Sequence, residues 1–124
     1  MSEAHELAQR YLDAWNEDDA GRRCDLIVRA FREEITYVDP HAEVGGHEGL
    51  GDLIGAVRTR FPGHVFTLCG TPQAHHDRLR FSWVLASAGG DPVACGTDVA
   101  LVATDGRHVG AMPAWVRPKA GYGP

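Results

Sequence analysis

The chain has 124 residues, of which 44% are hydrophobic and 23% are charged, a composition that predicts one globular domain with a core of its own. Its formal net charge of −5 gives no electrostatic basis for binding nucleic acid, so no nucleic-acid partner is expected. The apolar runs are too short to cross a bilayer, and the charged N-terminus has no apolar signal core. We therefore expect a cytoplasmic protein without a membrane partner.

Residues 3 to 18 have the spacing of an amphipathic helix. Apolar side chains recur every three or four positions, Ser2 can cap the first turn, and charged residues occupy the opposite face. The apolar stripe consists of Leu7, Ala8, Tyr11, Leu12 and Trp15. Tyr11 lies in the middle of this stripe, where a tyrosine is ordinarily a core aromatic whose hydroxyl finds a partner.

A second, shorter helix is predicted over about 22–32, and a strand follows it. The apolar face of this helix consists of Leu26, Ile27, Ala30 and Phe31. In the strand, alternation sends Ile35, Tyr37 and Asp39 to one face. Pro40 ends the strand because proline has no N–H to donate.

Asp39 therefore stands at the end of a strand, and two interpretations are open. If its face looks into the core, the carboxyl is partly desolvated and becomes a usable general base. Alternatively, Asp-Pro is a common sequence between a strand and a turn, and the carboxylate is in contact with water.

The rest of the chain predicts one more helix and four strands. After a glycine-rich loop at 42–49, a helix is predicted over about 48–60, and Pro62-Gly63 ends it. The apolar period then changes from 3.6 to 2, which predicts strands at 64–71, 74–87, 92–104 and 107–117. The predicted turns are Pro72-Gln73, Gly89-Gly90-Asp91 and Asp105-Gly106. Residues 118–124 are expected to form a loose tail after a single domain of residues 1–117.

Two of these strands indicate where the core lies. The strand over 74–87 alternates, and one of its faces carries His75, Leu79, Phe81, Trp83 and Leu85. The strand over 92–104 is apolar on both faces except at Asp98, which implies cover by helices on one side, with a partner subunit as a candidate for the other. Three helices before a long meander predict an α+β domain, in which a curved antiparallel sheet wraps around the helices and leaves a blind apolar pocket.

Asp98 is the second informative acid. A buried aspartate without an obvious basic neighbour is expensive as a carboxylate, so it should be protonated or paired. It is either a functional acid in a cleft or a structural one that is hydrogen-bonded to a neighbouring side chain. The neighbours considered for the structural role are His75 and an arginine on the adjacent strand.

Cysteine and histidine content gives little support for a metal site. Cys24, Cys69 and Cys95 have no paired spacing and are expected to be reduced and structural. Among the seven histidines, His41 and His47 could converge with Asp39 at a pocket mouth, but no pair has the spacing of two ligands on a helix. No metal and no cofactor are expected. His75 could orient Asp98 or contact a ligand, or it could be a solvated or core histidine.

The order of elements resembles the nuclear-transport-factor-2-like superfamily, over nearly the whole chain to about Val116. Within it, Tyr11 in the first helix, the Asp39-Pro40 pair and Asp98 in the penultimate strand resemble the bacterial ketosteroid isomerases. That resemblance implies a cone-shaped sheet around three helices. It also implies that Asp39 shuttles a proton between carbons while Tyr11 and Asp98 donate hydrogen bonds to the substrate's carbonyl oxygen. In those enzymes one carboxyl acts as base while the second is kept neutral by an apolar site.

The sequence also resembles the SnoaL-like branch, named for polyketide cyclases. The similar segments are Pro40-His41-Ala42, Gly46-His47-Glu48-Gly49, Phe61-Pro62-Gly63-His64 and His75-His76-Asp77. Two features depart from the patterns. The final strand has no carboxylate where the cyclases carry their acid/base aspartate, and only Tyr37 could support Tyr11 as a second tyrosine does in the isomerases. The Arg-x-Asp pattern of the epoxide-hydrolase branch is missing.

These resemblances imply a cofactor-free isomerase-type proton transfer on a small apolar carbonyl substrate, steroid-like or polyketide-like. The catalytic candidates are Asp39, Tyr11 and Asp98. The candidates for substrate binding are Trp15, Tyr37, His41, Phe61, His75, Phe81, Trp83, Met112 and Trp115.

The alternative is a non-catalytic domain that binds a small hydrophobic ligand or serves as a dimeric scaffold, because a fold does not fix a function. A pocket filled by its own aromatic side chains would favour this alternative. A homodimer is expected from the family resemblance and from the strand around Asp98 that is apolar on both faces. Its interface is expected to include part of the outer face of the sheet, with His76, Arg78, Arg80, Ser82 and their neighbours.

Overall fold

The structure is a computed structural model, which describes residues 2–118 and the side chains as far as Met112. It contains three helices, α1 (Glu3–Asn16), α2 (Ala20–Ala30) and α3 (Gly46–Arg60). Ser2 caps α1 by accepting a hydrogen bond from the backbone N–H of His5 at 3.1 Å. Asp19 caps α2 in the same way, with the N–H of Arg22 at 2.8 Å. Both caps satisfy backbone donors that a helix leaves unpaired in its first turn.

The six strands form one curved, unclosed sheet. Their bounds are β1 (Phe31–Val38), β2 (Glu43–Gly45), β3 (His64–His75), β4 (Arg78–Ser87), β5 (Ala94–Val102) and β6 (His108–Pro118). In the sheet they follow the order β2-β1-β6-β5-β4-β3. The predicted α+β class is therefore confirmed. The sheet is mixed rather than wholly antiparallel, because β1 pairs with β6 in parallel while the other neighbours are antiparallel.

Several predicted boundaries are wrong, for identifiable reasons. The second helix ends at Ala30, because Phe31 has an extended backbone, is fully buried and pairs with His108 as the first residue of β1. The Pro72-Gln73 segment is not a turn, because β3 continues through it with a shift of register between Cys69 and Gln73. An edge strand such as β3 tolerates a proline, since one side of it forms no ladder.

The reversal between β3 and β4 lies four residues after Pro72. His76 has a φ of 55°, and His75 pairs with Arg78 across the turn. His75 therefore ends β3 instead of beginning β4, and it is exposed. The predicted loop at 42–49 also contains β2, which pairs with the end of β1. Of the predicted tail, Pro118 is the last residue of β6, and 119–124 lie outside the described residues.

One core lies between the helices and the inner face of the sheet. The predicted inner face of β4 is buried, with Leu79, Phe81, Trp83 and Leu85 all pointing to the helices. Tyr11 lies at the centre of the core, and its ring packs edge-on against Phe81 with centroids 4.9 Å apart. No helix within residues 2–118 combines the length and the apolar character needed to span a bilayer.

His108 is a buried titratable residue behind Tyr11. It is 1% exposed, and its ring meets the ring of Tyr11 edge-on with centroids 5.3 Å apart. Its Nε2 lies 3.2 Å from the carbonyl oxygen of Leu7, so this nitrogen carries the proton and donates it. Burial lowers the pKa of His108 to about 4 from an ordinary value of 6.5, because the core disfavours the charged imidazolium.

This burial makes stability depend on pH. Between about pH 6.5 and 4 the unfolded chain binds a proton on His108 and the folded chain does not, so the free energy of unfolding falls as the pH falls. The loss should reach about 3 kcal/mol. We expect His108→Gln, which keeps an N–H for Leu7 but does not titrate, to remove this part of the loss. Urea unfolding at about pH 7 and about pH 4.5 measures it, and an undiminished acid loss in the variant would contradict the assignment.

Candidate active site

Asp98 is held in the core by two hydrogen bonds from side chains of different elements. The Tyr11 hydroxyl of α1 donates to Asp98 Oδ2 at 2.6 Å, and Nε1 of Trp83 in β4 donates to Oδ1 at 2.9 Å. All three side chains are buried: Tyr11 is 1% exposed, Asp98 is 3% exposed and Trp83 is 9% exposed. Both carboxyl oxygens are thus engaged by donors, and the group is closed to solvent.

Sheet register explains why these residues meet. Asp98 pairs with Phe81 on β4, and alternation places Trp83, two residues further on, on the same inner face. Tyr11 approaches from α1, one turn before Trp15 on the buried stripe. The partners considered from the sequence, His75 and an adjacent arginine, are not the ones that Asp98 uses. His75 fails because the reversal between β3 and β4 leaves it at the exposed end of β3.

Burial sets the protonation of this pair. Desolvation raises the pKa of Asp98, the charge of Asp39 raises it further, and the hydrogen bonds from Trp83 and Tyr11 oppose the rise. Desolvation, followed by the nearby Asp98 charge, also holds the pKa of Tyr11 well above its usual range. The environment therefore favours a neutral carboxyl beside a neutral phenol, which is the state in which Asp98 can itself donate a hydrogen bond.

Asp39 has a different environment at the end of β1. Its Oδ1 accepts hydrogen bonds from the backbone N–H groups of His41 at 2.8 Å and Ala42 at 2.7 Å. Its Oδ2 accepts one from the Tyr37 hydroxyl at 2.9 Å. As expected from the alternation, Ile35 and Tyr37 are buried on this face, and Asp39 itself is half-buried. Three donors are therefore aimed at this one carboxyl group and fix its orientation.

An aromatic bridge connects the two acids. It consists of the rings of Tyr37, Trp15, Phe66 and Trp83, with successive centroids 5.4, 5.8 and 5.1 Å apart. Tyr37 donates to Asp39 at one end and Trp83 donates to Asp98 at the other, so the bridge links the hydrogen-bond partners of the two acids. Phe66 is a member that the sequence analysis did not single out, although its position in an alternating strand is a signal for burial.

Other predicted binding residues lie elsewhere. Phe81 is in the core against Tyr11, but His41 and His75 are exposed, and Phe61 packs against His64 with centroids 5.7 Å apart. Met112 is 56% exposed and pairs with Val99, whose side chain alternates to the face opposite Asp98. The side chain of Trp115 lies outside the described residues.

Two surface clefts of the described part of the chain do not include either acid. One, of about 380 Å³, is lined by Glu3, Glu6, Leu7, Arg10 and Gly106. The other, of about 340 Å³, is lined by Val28, Arg32, Glu33, Glu34, His47 and Arg107. Over the described part of the chain, no group of three or more histidine, cysteine, aspartate or glutamate side chains is close enough to hold a metal ion. Cys24 and Cys69 are exposed free thiols.

A comparison with solved structures identifies the family. A candidate isomerase of the SnoaL-like family from Agrobacterium tumefaciens is 44% identical to this chain, with a TM-score of 0.86. The match covers 91% of this chain and 97% of the other. The chain belongs to the SnoaL-like family.

More distant structures show the shared fold alone. A candidate polyketide cyclase from Sinorhizobium meliloti is 16% identical, covers 87% of this SnoaL-like chain and 93% of its own, and has a TM-score of 0.68. An NTF2-like protein of unknown function from Exiguobacterium is 24% identical, with coverages of 86% and 95% and a TM-score of 0.68. No family model and no curated protein sequence matches the chain.

The raised pKa of Asp98 predicts a pH-dependent effect of replacing it. The folded chain keeps its proton on Asp98 to higher pH than the unfolded chain, so this residue makes folding less favourable as the pH rises above about 3.9. Asn does not titrate, so the stability of Asp98→Asn relative to wild type should increase between about pH 4 and pH 8. The slope is at most about 1.4 kcal/mol per pH unit within the titration window.

Urea unfolding of both proteins across this pH range measures the difference between their free energies of unfolding. The effect of His108 cancels in this difference because both proteins contain His108. A difference that does not change with pH would show that Asp98 titrates alike in the folded and unfolded chains, contrary to the assignment.

Proposed function

We propose that this SnoaL-like protein catalyses a cofactor-free proton transfer on a small apolar carbonyl compound. The observation that carries the proposal is the contrast between its two acids. Asp98 is buried beside Tyr11 in surroundings that favour the neutral acid, whereas Asp39 is half-buried at the end of β1 and accepts hydrogen bonds from two backbone N–H groups and the Tyr37 hydroxyl. Two carboxyls in such different surroundings are suited to a base and an acid that supports oxyanion stabilisation.

Asp39 is the proposed base. Its carboxylate removes a proton from the carbon next to the substrate's carbonyl, and the electron pair of that C–H bond forms an enolate. The same carboxyl then returns the proton to another carbon of the substrate, which completes an isomerisation without any cofactor. The turn that follows β1 fixes Oδ1 through two backbone N–H groups, so the base keeps one orientation in both steps.

Tyr11 is the proposed donor to the enolate oxygen, and Asp98 acts through it. Because both oxygens of Asp98 are engaged, a direct bond from Asp98 to substrate would require Tyr11 or Trp83 to leave. A neutral Asp98 can instead donate to the Tyr11 oxygen, which releases the Tyr11 O–H for the substrate. A donor of this kind supplies about 3 kcal/mol of transition-state stabilisation.

The proposed reaction requires that the substrate reach Tyr11. Tyr11 and Asp98 are closed to solvent, so a substrate reaches them only when part of the aromatic bridge moves. The same closure supports the second candidate function, a non-catalytic domain whose core is filled by its own side chains. The catalytic function is supported by the candidate isomerase from Agrobacterium, because a relative with 44% identity to this chain is described as an isomerase.

We expect Asp39→Asn to abolish isomerisation while the fold is preserved. Asn retains an oxygen for the N–H groups of His41 and Ala42 and can donate to Tyr37, so the free energy of unfolding should change by about 1 kcal/mol or less. Loss of a general base should lower the rate by about 10²- to 10⁴-fold. The assay follows conjugation of a β,γ-unsaturated steroid ketone by ultraviolet absorbance, with Asp52→Asn, an exposed aspartate of α3, as the charge-matched control.

Equal losses of fold and rate in Asp39→Asn would contradict the role of this residue as base. Absence of activity in wild type, together with unchanged affinity of Asp39→Asn for an apolar ligand, would favour the non-catalytic function.

We also propose that two copies associate through the outer sheet face, defined by Val65, Val84, Val99, Leu101 and Met112. Val65, Leu101 and Met112 are 47%, 38% and 56% exposed, and these residues continue across four neighbouring strands. Exposed apolar side chains grouped on one face are typical of an interaction surface.

Light scattering should give the mass of a dimer for wild type and of a monomer for Met112→Glu. Val28→Glu, at an exposed valine of α2 that is not part of the outer sheet face, should remain dimeric. A monomeric wild type at micromolar concentration would refute the association.

A further inference from the structure

Trp15 carries a buried hydrogen-bond donor that has no partner. It lies on α1 one turn after Tyr11 and is 6% exposed, and its Nε1 has no acceptor within the described part of the chain. The neighbouring polar atoms are all paired, since Tyr11 and Trp83 donate to Asp98 and Tyr37 donates to Asp39. Buried donors are nearly always paired in folded proteins because an unpaired one loses its bond to water.

The position of this donor relates it to the proposed site. The Trp15 ring contacts Tyr37 at 5.4 Å and Tyr11 at 6.4 Å between centroids, so it touches the partner of each acid. Trp15 is also a member of the aromatic bridge, which has to move for a substrate to enter.

Other buried nitrogens without a partner differ in kind or place. His108 Nδ1 is an acceptor, because Nε2 carries the proton given to Leu7. Arg58 Nη1 belongs to a guanidinium already paired with Asp18, which lies before α2. His5 Nδ1 belongs to a half-buried side chain in the first turn of α1. Among these atoms, the Trp15 N–H is the one whose ring contacts both tyrosines of the site.

We infer that the Trp15 indole N–H binds substrate, and that the substrate carries a second oxygen acceptor besides the carbonyl held by Tyr11. This inference rests on the proposed function and narrows its substrate class to compounds with two oxygen functions, such as a diketone or a hydroxyketone. A substrate with a purely hydrocarbon end would leave the N–H unpaired in the complex. The site therefore selects against it, because a site with a built-in polar group rejects ligands that cannot pair with it.

Two probes separate this inference from the proposed function. In 2-naphthol, a single phenolic oxygen imitates the enolate oxygen for Tyr11. In 6-acetyl-2-naphthol, a ketone oxygen at the far end of the same ring system adds the second acceptor. Affinities are measured by fluorescence titration for wild type and for Trp15→Phe. The control is Phe66→Leu, which alters the same aromatic bridge without changing a donor.

We expect Trp15→Phe to weaken 6-acetyl-2-naphthol about tenfold and 2-naphthol less than about twofold, whereas Phe66→Leu weakens both alike. In ¹⁵N-labelled wild type, the indole N–H signal of Trp15, assigned through its contacts to Tyr37, should move downfield by about 0.5 ppm with the acetyl compound only. This signal decides the matter if Trp15→Phe does not fold.

Equal weakening of both probes by Trp15→Phe, or a signal that does not distinguish them, would overturn the role of Trp15. If Tyr11→Phe still weakens both probes, the proposed function survives that result. If neither probe binds, or Tyr11→Phe changes neither affinity, both the inference and the proposed function fail.

Discussion

The buried carboxyl group of Asp98 is the constraint on which the rest of this structure depends. An acid that is 3% exposed needs partners for both oxygens, and the chain supplies them from α1 and β4. Tyr11 and Asp98 are 87 residues apart in the sequence, so this bond joins the first helix to β5, the next-to-last strand. The ring contacts of Tyr11 with Phe31, Phe81 and His108 surround the bond with apolar atoms, and this desolvation raises the pKa of Asp98. Packing and protonation are therefore set by the same residues.

Asp39 and Asp98 differ in position, burial and hydrogen-bond donors. One acid is at the sheet rim with backbone donors, and the other is in the core with side-chain donors. The negative charge of Asp39 also raises the pKa of Asp98, so ionisation of the base favours the neutral form of its counterpart. The aromatic bridge joins Tyr37, the partner of Asp39, to Trp83, the partner of Asp98, so the surroundings of both acids depend on the same rings.

The periodicity of apolar residues in the sequence predicted most of the elements and faces that hold the two acids. The helical stripe with Tyr11, the shared face of Ile35, Tyr37 and Asp39, and the burial of Asp98 are all consequences of spacing along a single element. What the sequence did not predict are contacts across elements. Trp83 was expected to line a pocket and instead donates to Asp98, because the register of β4 against β5 is fixed by the whole sheet. The prediction for His75 was wrong because Pro72 is typical of a turn in the local sequence. In the structure β3 continues through Pro72, and its pairing with β4 only shifts in register there. The unpaired N–H of Trp15 has no local signal, since an absent partner is a property of the packed core.

Burial outweighs hydrogen bonding at Asp98 and favours its neutral acid. This balance is measured by a pH titration of the Asp98 side-chain carboxyl carbon by NMR in ¹³C-labelled protein, with Asp98→Asn identifying the signal. We expect a midpoint clearly above the value of about 3.9 of a free aspartate. A midpoint at or below that value would mean that the bonds from Tyr11 and Trp83 dominate and that Asp98 is an ionised acceptor. It would then hold the Tyr11 proton and could not release it for a substrate, which would contradict the account.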